Sequence, residues 1–390
     1  MRDYRLLTLS GALLFGAMGT SSPLMTLYLA DLGASFAQIS LVLTTFMATA
    51  LASNYASGYL SDRLQRRKPL LVGGLWLMAL AYLALANVPA AGMAWGIRVV
   101  EGAGLGAFST LSLAMMGDLL EDSAQRGRRM GLYRGIGSVA FGVGAVAGGW
   151  LVSRSSIPIV FTATAGAHFL AGAIALLLQD NPGRDRVDPA PGAPAAPVRL
   201  PPPYLAGVFL WTMAVAGAAS MWPNAMAALG YSRQTISNLW GLAALIELPG
   251  MQGAGMLSDV AGRAPLLAVG GFGMALVFTG YVLVARWLPA LLAVQVVRGL
   301  AYGSYTTSAM TFAAEHASRR TRGSVSGIFA AATSAGQLTG TLAAGFVVQA
   351  AGFDILFWLC VLAATASGLS FVTLHRTHGP AIRPTAGRAA

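Results

Sequence analysis

Gly58-Tyr59-Leu60-Ser61-Asp62-Arg63-Leu64-Gln65-Arg66-Arg67-Lys68-Pro69-Leu70 is a knot of charge set between two long apolar runs. Its core returns once, 197 residues later, as Gly255-Met256-Leu257-Ser258-Asp259. The same offset lays Leu32-Gly33 on Leu229-Gly230, Ile39-Ser40 on Ile236-Ser237 and Val99-Val100 on Val296-Val297. It also lays Gly102, Gly106 and Thr110 on Gly299, Gly303 and Thr307. The register holds without a gap across these matches, so the chain reads as two copies of one half.

The solvent of those halves follows from composition. The 390 residues are 56% hydrophobic and 10% charged, with a mean hydropathy of +0.64, whereas a soluble domain carries roughly 25% charged residues. Apolar runs recur along the whole chain, each long enough to cross a hydrocarbon core about 30 Å thick as a helix. Charges and turn residues divide them into twelve spans, at 5–30, 36–61, 69–87, 91–118, 128–152, 158–179, 204–228, 234–258, 264–285, 289–315, 322–349 and 352–374. A helix in lipid satisfies its own backbone hydrogen bonds, so an all-α integral membrane bundle is expected. The start, Met1-Arg2-Asp3-Tyr4-Arg5 followed by apolar residues, is similar to a signal peptide. Its run continues through Pro23 towards Ala30, which is the length of a membrane helix.

Between the sixth and seventh spans, 180–203 contains Pro182, Pro189, Pro191, Pro194, Pro197, Pro201, Pro202 and Pro203 among Arg184, Asp185, Arg186 and Asp188. This is the composition of a polar, semi-extended linker. The expected organisation is an N-terminal six-helix bundle (1–179), the linker (180–203), a C-terminal six-helix bundle (204–374) and a tail (375–390). Six spans per half give both halves the same orientation, as parallel repeats about an axis normal to the membrane.

A net charge of +11 and a pI near 10.4 would suggest a nucleic-acid partner in a soluble protein. Here the basic residues sit in alternate loops. One set, with both termini, includes Arg2, Arg5, Arg63, Arg66, Arg67, Lys68, Arg126, Arg128, Arg129, Arg184, Arg263, Arg319, Arg320, Arg322 and Arg376, while the other set holds Arg154, Arg233 and Arg286. The positive-inside rule places the termini and linker in the cytoplasm of a multi-pass inner-membrane protein. The basic surplus is therefore topology, and the partner it implies is the lipid bilayer and no nucleic acid. The single cysteine, Cys360, excludes an intrachain disulfide.

Twelve spans in a six-plus-six arrangement, with Gly58-x-Leu60-x-Asp62-Arg63-x-x-Arg66-Arg67 between the second and third, resemble the major facilitator superfamily. The family usually has Gly where this chain has Gln65, which weakens a turn. Arg98-Val99-Val100-Glu101-Gly102-Ala103-Gly104-Leu105-Gly106 resembles a second family signature, that of proton antiporters, with Glu101 replacing the common Gln. A third is partial, since Gly144-Ala145-Val146-Ala147-Gly148-Gly149 has Ala145 in place of Pro. The resemblance implies that Asp62, in the setting of Gly58, Arg63, Arg66 and Arg67, latches the two halves by meeting the chain near Arg322-Gly323-Ser324, with Asp259 as its repeat. Asp118, Glu121, Arg126, Arg128 and Arg129 either extend that network or are solvated loop charges.

The chemistry rests on charges inside the spans. An ionisable group at mid-helix costs about 2.5–3.5 kcal/mol to insert and is normally directed at a partner or a wet cavity. Arg98 lies roughly 10 Å from the outer end of its helix at 1.5 Å per residue, and Glu101 is three residues further along the same face. They form either a static ion pair or a proton-exchanging Glu101 tuned by Arg98. Arg298 occupies the repeat position of Glu101, so the two either attract across the axis or pair within their own halves. Glu247, in Leu245-Ile246-Glu247-Leu248-Pro249, is the most isolated charge. It is read as a proton- or substrate-coupling carboxyl, the alternative being a buried structural one, with Pro249 freeing backbone groups nearby. Candidate cavity residues are Tyr28, Asn54, Phe108, Trp222, Asn224, Gln252, Tyr302, Tyr305 and Gln337, with Trp211 and Trp240 as further aromatic candidates. His168 is read as structural. Gly102-x-Gly104-x-Gly106 follows no strand and is not a nucleotide loop.

The expected function is alternating-access secondary transport by one chain that contains the whole pathway, with a small-molecule substrate, H+ as coupling ion, no cofactor and no metal. Export of a small apolar or amphiphilic molecule, drug-like or sugar-like, is the first reading. A proton symporter or facilitator importing a sugar, nucleoside or organic anion is the alternative, and a non-transporting membrane sensor is a third. No nucleophile and base stand at a spacing that suggests an enzyme.

Overall fold

The computed structural model describes residues 2–120, 126–179, 200–316 and 322–378, apart from the side chains of 126–128, 259, 322, 323 and 378. Among these residues every regular element is a helix. The helices are α1 (Arg2–Asp31), α2 (Phe36–Leu64), α3 (Lys68–Leu85), α4 (Ala91–Leu119), α5 (Arg126–Val152), α6 (Ile157–Ala175), α7 (Pro202–Ala228), α8 (Arg233–Ala261), α9 (Arg263–Leu283), α10 (Leu288–Glu315) and α11 (Arg322–His378). α11 is bent at Gly352, whose φ of +85° no L side chain adopts easily, so its two arms are the expected last two spans. α7 starts at Pro202, inside the stretch read as linker, because proline fits the first helical turn where its missing N–H is no loss. The rest of that stretch, 180–199, lies outside the described residues.

Nine of the described helices are long and apolar enough to cross a membrane. α8 and α10 fall short of that measure because they carry polar and charged residues, Glu247 and Arg298 among them. Packing makes up the difference, since α10 lies against both α8 and α9. Local signals set the helix starts. Ser35 caps α2 in a reciprocal box with Gln38, and Ser232, its repeat equivalent, accepts from Thr235 N at 3.1 Å.

The duplication is visible in packing detail. In the N-terminal bundle α2 lies on α4, and a Cβ added to Gly102 would fall 2.6 Å from the Phe46 carbonyl oxygen. In the C-terminal bundle α8 lies on α10, and a Cβ on Gly299 would fall 2.7 Å from the Ala243 carbonyl oxygen, the same contact 197 residues on. Close helix approach through small residues is what lipid-embedded packing rewards. Thr110 Oγ1 donates to Asn54 O at 3.2 Å, and Thr307 Oγ1 to Met251 O at 3.4 Å, again as equivalents.

The end of the molecule where α1 begins and α11 finishes carries Arg63, Arg66, Arg67 and Lys68, and is called the basic face here. Contacts between the bundles concentrate at the opposite face. There Arg233 pairs with Asp31 at 2.6 Å, Phe36 N donates to Gln349 Oε1 at 3.1 Å, and Gly345 N donates to Ser40 Oγ at 2.7 Å. The α5 glycines Gly149 and Gly142 face Ser237 and Leu245 of α8, carrying the seam towards mid-membrane. The apolar core has the same asymmetry. One buried cluster joins the C-terminal bundle to the opposite-face half of the N-terminal bundle, including Leu24, Ile39 and Phe161. The basic-face half of the N-terminal bundle, with Leu7, Leu71 and Leu111, forms a separate cluster. The bundles are thus joined at the opposite face and parted towards the basic face.

The turn at the basic end of α2 explains the Gln65 departure. Gln65 holds φ of +52° and ψ of +25°, the left-handed cap that usually belongs to glycine, and its Nε2 donates to Asp62 O at 2.7 Å. The equivalent position in the second half is Gly262, at φ of +86° and ψ of 168°, a region open essentially to glycine alone. Gln65→Gly is expected to raise stability by up to about 1 kcal/mol, whereas Gly262→Gln should lower it by about 1–3 kcal/mol. Thermal unfolding midpoints in detergent test this, and a Gln65→Gly variant less stable than its parent would show that the side-chain bond outweighs the backbone cost.

Candidate functional site

The intramembrane charges fall into two groups, one inside each bundle. In the first, Arg98 Nη1 pairs with Glu101 Oε2 at 2.5 Å within one turn of α4, and the residues are 5% and 2% exposed. The Phe46 ring of α2 covers the guanidinium at 3.9 Å. Tyr82 of α3 places its hydroxyl against Glu101 and within 2.8 Å of Ser21 Oγ of α1, and its ring stacks on His168 of α6. His168 is held through Nδ1 by the Thr164 carbonyl at 2.8 Å. Burial removes water from both charges, and the short pair with its polar surround replaces that water. Ser21 and Tyr82 were not singled out from sequence, since a lone serine or tyrosine in an apolar run carries no pattern.

In the second group Glu247 sits half-buried in the middle of α8. Among the described residues its carboxylate receives no hydrogen bond and has no cation within the 4.0 Å of an ion pair. The fields of Arg298 and Glu247 interact, and Tyr302 lies close enough to feel Glu247. Arg298 reaches from α10 to place its guanidinium 4.7 Å from the centre of the Trp240 ring. Around it Trp222 lies 5.7 Å from Trp240 and 5.8 Å from Tyr281, centre to centre. Tyr281 donates to Gln295 Oε1 at 2.7 Å, and Gln295 Nε2 donates to Leu239 O at 3.0 Å. Gln295 is the repeat equivalent of Arg98, and the 197-residue offset is the signal that finds it.

Glu101 and Arg298 are therefore each engaged within their own bundle. Several of the aromatic and amide candidates are likewise occupied by contacts inside the bundles or at their seam. Tyr28 donates to Leu85 O at 2.8 Å, at the end of α3, and packs on Phe161. Phe108 fills the basic-face cluster of the N-terminal bundle. Tyr305 is buried flat against Trp211, 3.5 Å between centres, and Trp222 is buried with Trp240 and Tyr281. Asn224 binds Thr26 O across the bundle seam at 3.2 Å. Asn54 accepts from Thr110 Oγ1 at 3.1 Å and is half-buried; Tyr302 is half-buried, and Gln252 and Gln337 are exposed.

At the basic face Asp62 is exposed at the end of α2 after Gly58, with Arg63 and Arg66 beside it. Arg67 pairs with Asp118 at the end of α4, and Arg263 pairs with Glu315 at the end of α10 at 3.0 Å. Asp118 and Glu315 are repeat equivalents, so each half ties its charged turn to the same helix end. The side chains of Asp259, Arg322, Arg126 and Arg128, and the whole of Glu121, lie outside the described residues. One cation was overlooked in sequence. Arg134 of α5 crosses to Met310 Sδ of α10 at 3.7 Å, a link between bundles in their basic half.

Two parallel helical bundles that hold charges at membrane depth and part at one face define a secondary-transporter architecture. The sequence model of the Major Facilitator Superfamily matches residues 7–285 and 205–390, and the chain belongs to that family of multi-pass membrane transporters. A Deinococcus radiodurans protein named, provisionally, as a sugar efflux transporter is 27% identical over 385 residues, 93% of this chain and 95% of that one. The multidrug resistance protein MdtL of Shewanella oneidensis is 26% identical over 148 residues, 38% of this chain and 37% of that one. Among solved structures a mutant of the nucleoside transporter NupG superposes with a TM-score of 0.80 at 14% identity, covering 95% of this chain and 99% of that one, which is a likeness of fold.

Proposed function

We propose that this protein is a proton-coupled exporter of a small apolar or amphiphilic molecule, drug-like or sugar-like. The observation that carries this reading is Glu247, a mid-membrane carboxyl that has no ion-pair partner among the described residues and lies near Tyr302 and Arg298 of α10. A carboxyl that must load and release protons is best served by a place where neither form is locked. The export direction is supported by the names of the two relatives, one sugar efflux and one multidrug resistance. Arg298 specifically favours a second reading, symport of a substrate that bears an anionic group.

On the positive-inside orientation the basic face is cytoplasmic, and so are the termini, in a plasma-membrane protein that works as one chain. The state described above is then inward-facing. The coupling ion is H+, and the Arg98–Glu101 pair is a fixed strut of the N-terminal bundle. Purified protein in liposomes under an imposed pH gradient, assayed with a panel of sugars and amphiphilic dyes, tests the proposal. Gradient-dependent flux of at least one of them is expected, and flux indifferent to the gradient would overturn proton coupling.

Asp62 is the latch of the opposite state, in which the basic face closes. Asp62→Asn is expected to favour the state with this face parted and to slow turnover more than it weakens binding. A large loss of affinity with unchanged turnover would contradict that role.

A further inference from the structure

Arg298 has two seats along one face of α8. Trp240 and Glu247 stand seven residues apart, two helical turns or about 10 Å along the axis. The guanidinium occupies the first seat, 4.7 Å from the centre of the Trp240 ring. It does not occupy the second, because Glu247 has no cation within 4.0 Å among the described residues. A desolvated guanidinium is attracted to the face of an indole ring and to a carboxylate alike, so the two seats compete for one cation.

We propose that Trp240 is a positioning residue for proton coupling, its ring parking Arg298 away from Glu247 so that the carboxyl can hold a proton. The step that follows is balanced. As the guanidinium, charged throughout, moves from the ring to Glu247, the carboxyl O–H bond breaks, the proton passes to water, and a carboxylate–guanidinium pair remains. A substrate whose flat or apolar face stacks on Trp240 displaces the guanidinium and so drives the release. This assignment rests on Glu247 being the coupling acid. The groups around Glu247 are Arg298 and Tyr302 of α10. From α5, Gly135 faces the adjoining Leu248, and Arg134 beside it turns to Met310.

The test needs no identified substrate. Infrared difference spectra of the full chain in liposomes, recorded against pH, follow the carboxyl band that Glu247→Gln removes. In Trp240→Leu the guanidinium has lost its first seat, so half-loss of that band is expected at about tenfold higher proton concentration, about one pH unit lower, than in the parent. Trp240→Phe keeps a ring and should titrate like the parent, and Arg298→Gln added to Trp240→Leu should abolish the shift. A merely structural Trp240 would lower yield or stability and leave the titration where it was, which would overturn the proposal. If Trp240→Leu does not fold, Trp240→Met supplies an unbranched, adaptable apolar side chain without the ring and carries the same expectations. Should Glu247→Gln remove no titrating band, the reading of Glu247 fails, separately from that of Trp240.

Discussion

Glu247→Gln is expected to abolish transport driven by a pH gradient while leaving counterflow of substrate intact. Glutamine has the size and neutrality of the protonated acid, so the variant behaves as permanently loaded and can still exchange substrate across the membrane. Stability separates this from simple damage. A charge at the centre of a membrane helix costs about 2.5–3.5 kcal/mol on insertion scales, and the amide does not carry that cost. The variant should therefore unfold at the same temperature as the parent or higher. Unchanged dependence on the pH gradient in liposomes would remove Glu247 from the mechanism, and a lost thermal transition would make the transport result uninformative about coupling.

The second large effect belongs to the N-terminal bundle. Glu101→Ala leaves the Arg98 guanidinium buried at 5% exposure beside Phe46 with its 2.5 Å partner gone. Breaking a buried pair from one side typically costs about 3–5 kcal/mol, whereas replacing both partners by apolar groups of similar size is often neutral or stabilising. Glu101→Ala should therefore lose most of its folded yield in detergent. Arg98→Met combined with Glu101→Leu should recover it and retain gradient-driven flux. A recovered fold with no flux would reassign the pair from strut to coupling element. The contrast with Glu247 is physical. One carboxylate is locked by a short ion pair, and the other is left open to a proton.

Much of the architecture was legible in the chain. A hydrophobic run long enough to span lipid can satisfy its backbone only as a helix, so span number and approximate limits follow from composition and punctuation. The 197-residue offset then predicts equivalent contacts, and Gly102 with Gly299, Ser35 with Ser232 and Asp118 with Glu315 bear it out. α8 and α10 are instructive exceptions. Their polar residues lower the hydropathy on which such a reading depends, yet they are the helices that carry Glu247, Trp240 and Arg298.

The site was legible only as a list of residue types. Sequence pointed to Arg98, Glu101, Glu247 and Arg298 because a charge in an apolar run stands out whatever it touches. It left open which charge partners which, since helical spacing fixes neighbours within one helix and says nothing of the helix opposite. Tyr28, Phe108 and Tyr305 show the same limit. An aromatic residue has the same signature whether it faces a cavity or fills a core, and packing puts these three in the core.

The opening stretch, Gly58 to Leu70, therefore determined by itself a membrane fold built from two copies, because charge between spans and its repetition are local properties of the chain. Tertiary structure decided the rest: that the bundles close at the face opposite this stretch, that Arg98 is spent on Glu101, and that Arg298 rests on Trp240 and leaves Glu247 open. The first and last of those outcomes depend on distances between helices far apart in sequence, and the Arg98–Glu101 pair, though its partners are neighbours on one helix, is closed in by Phe46 and Tyr82 from two others.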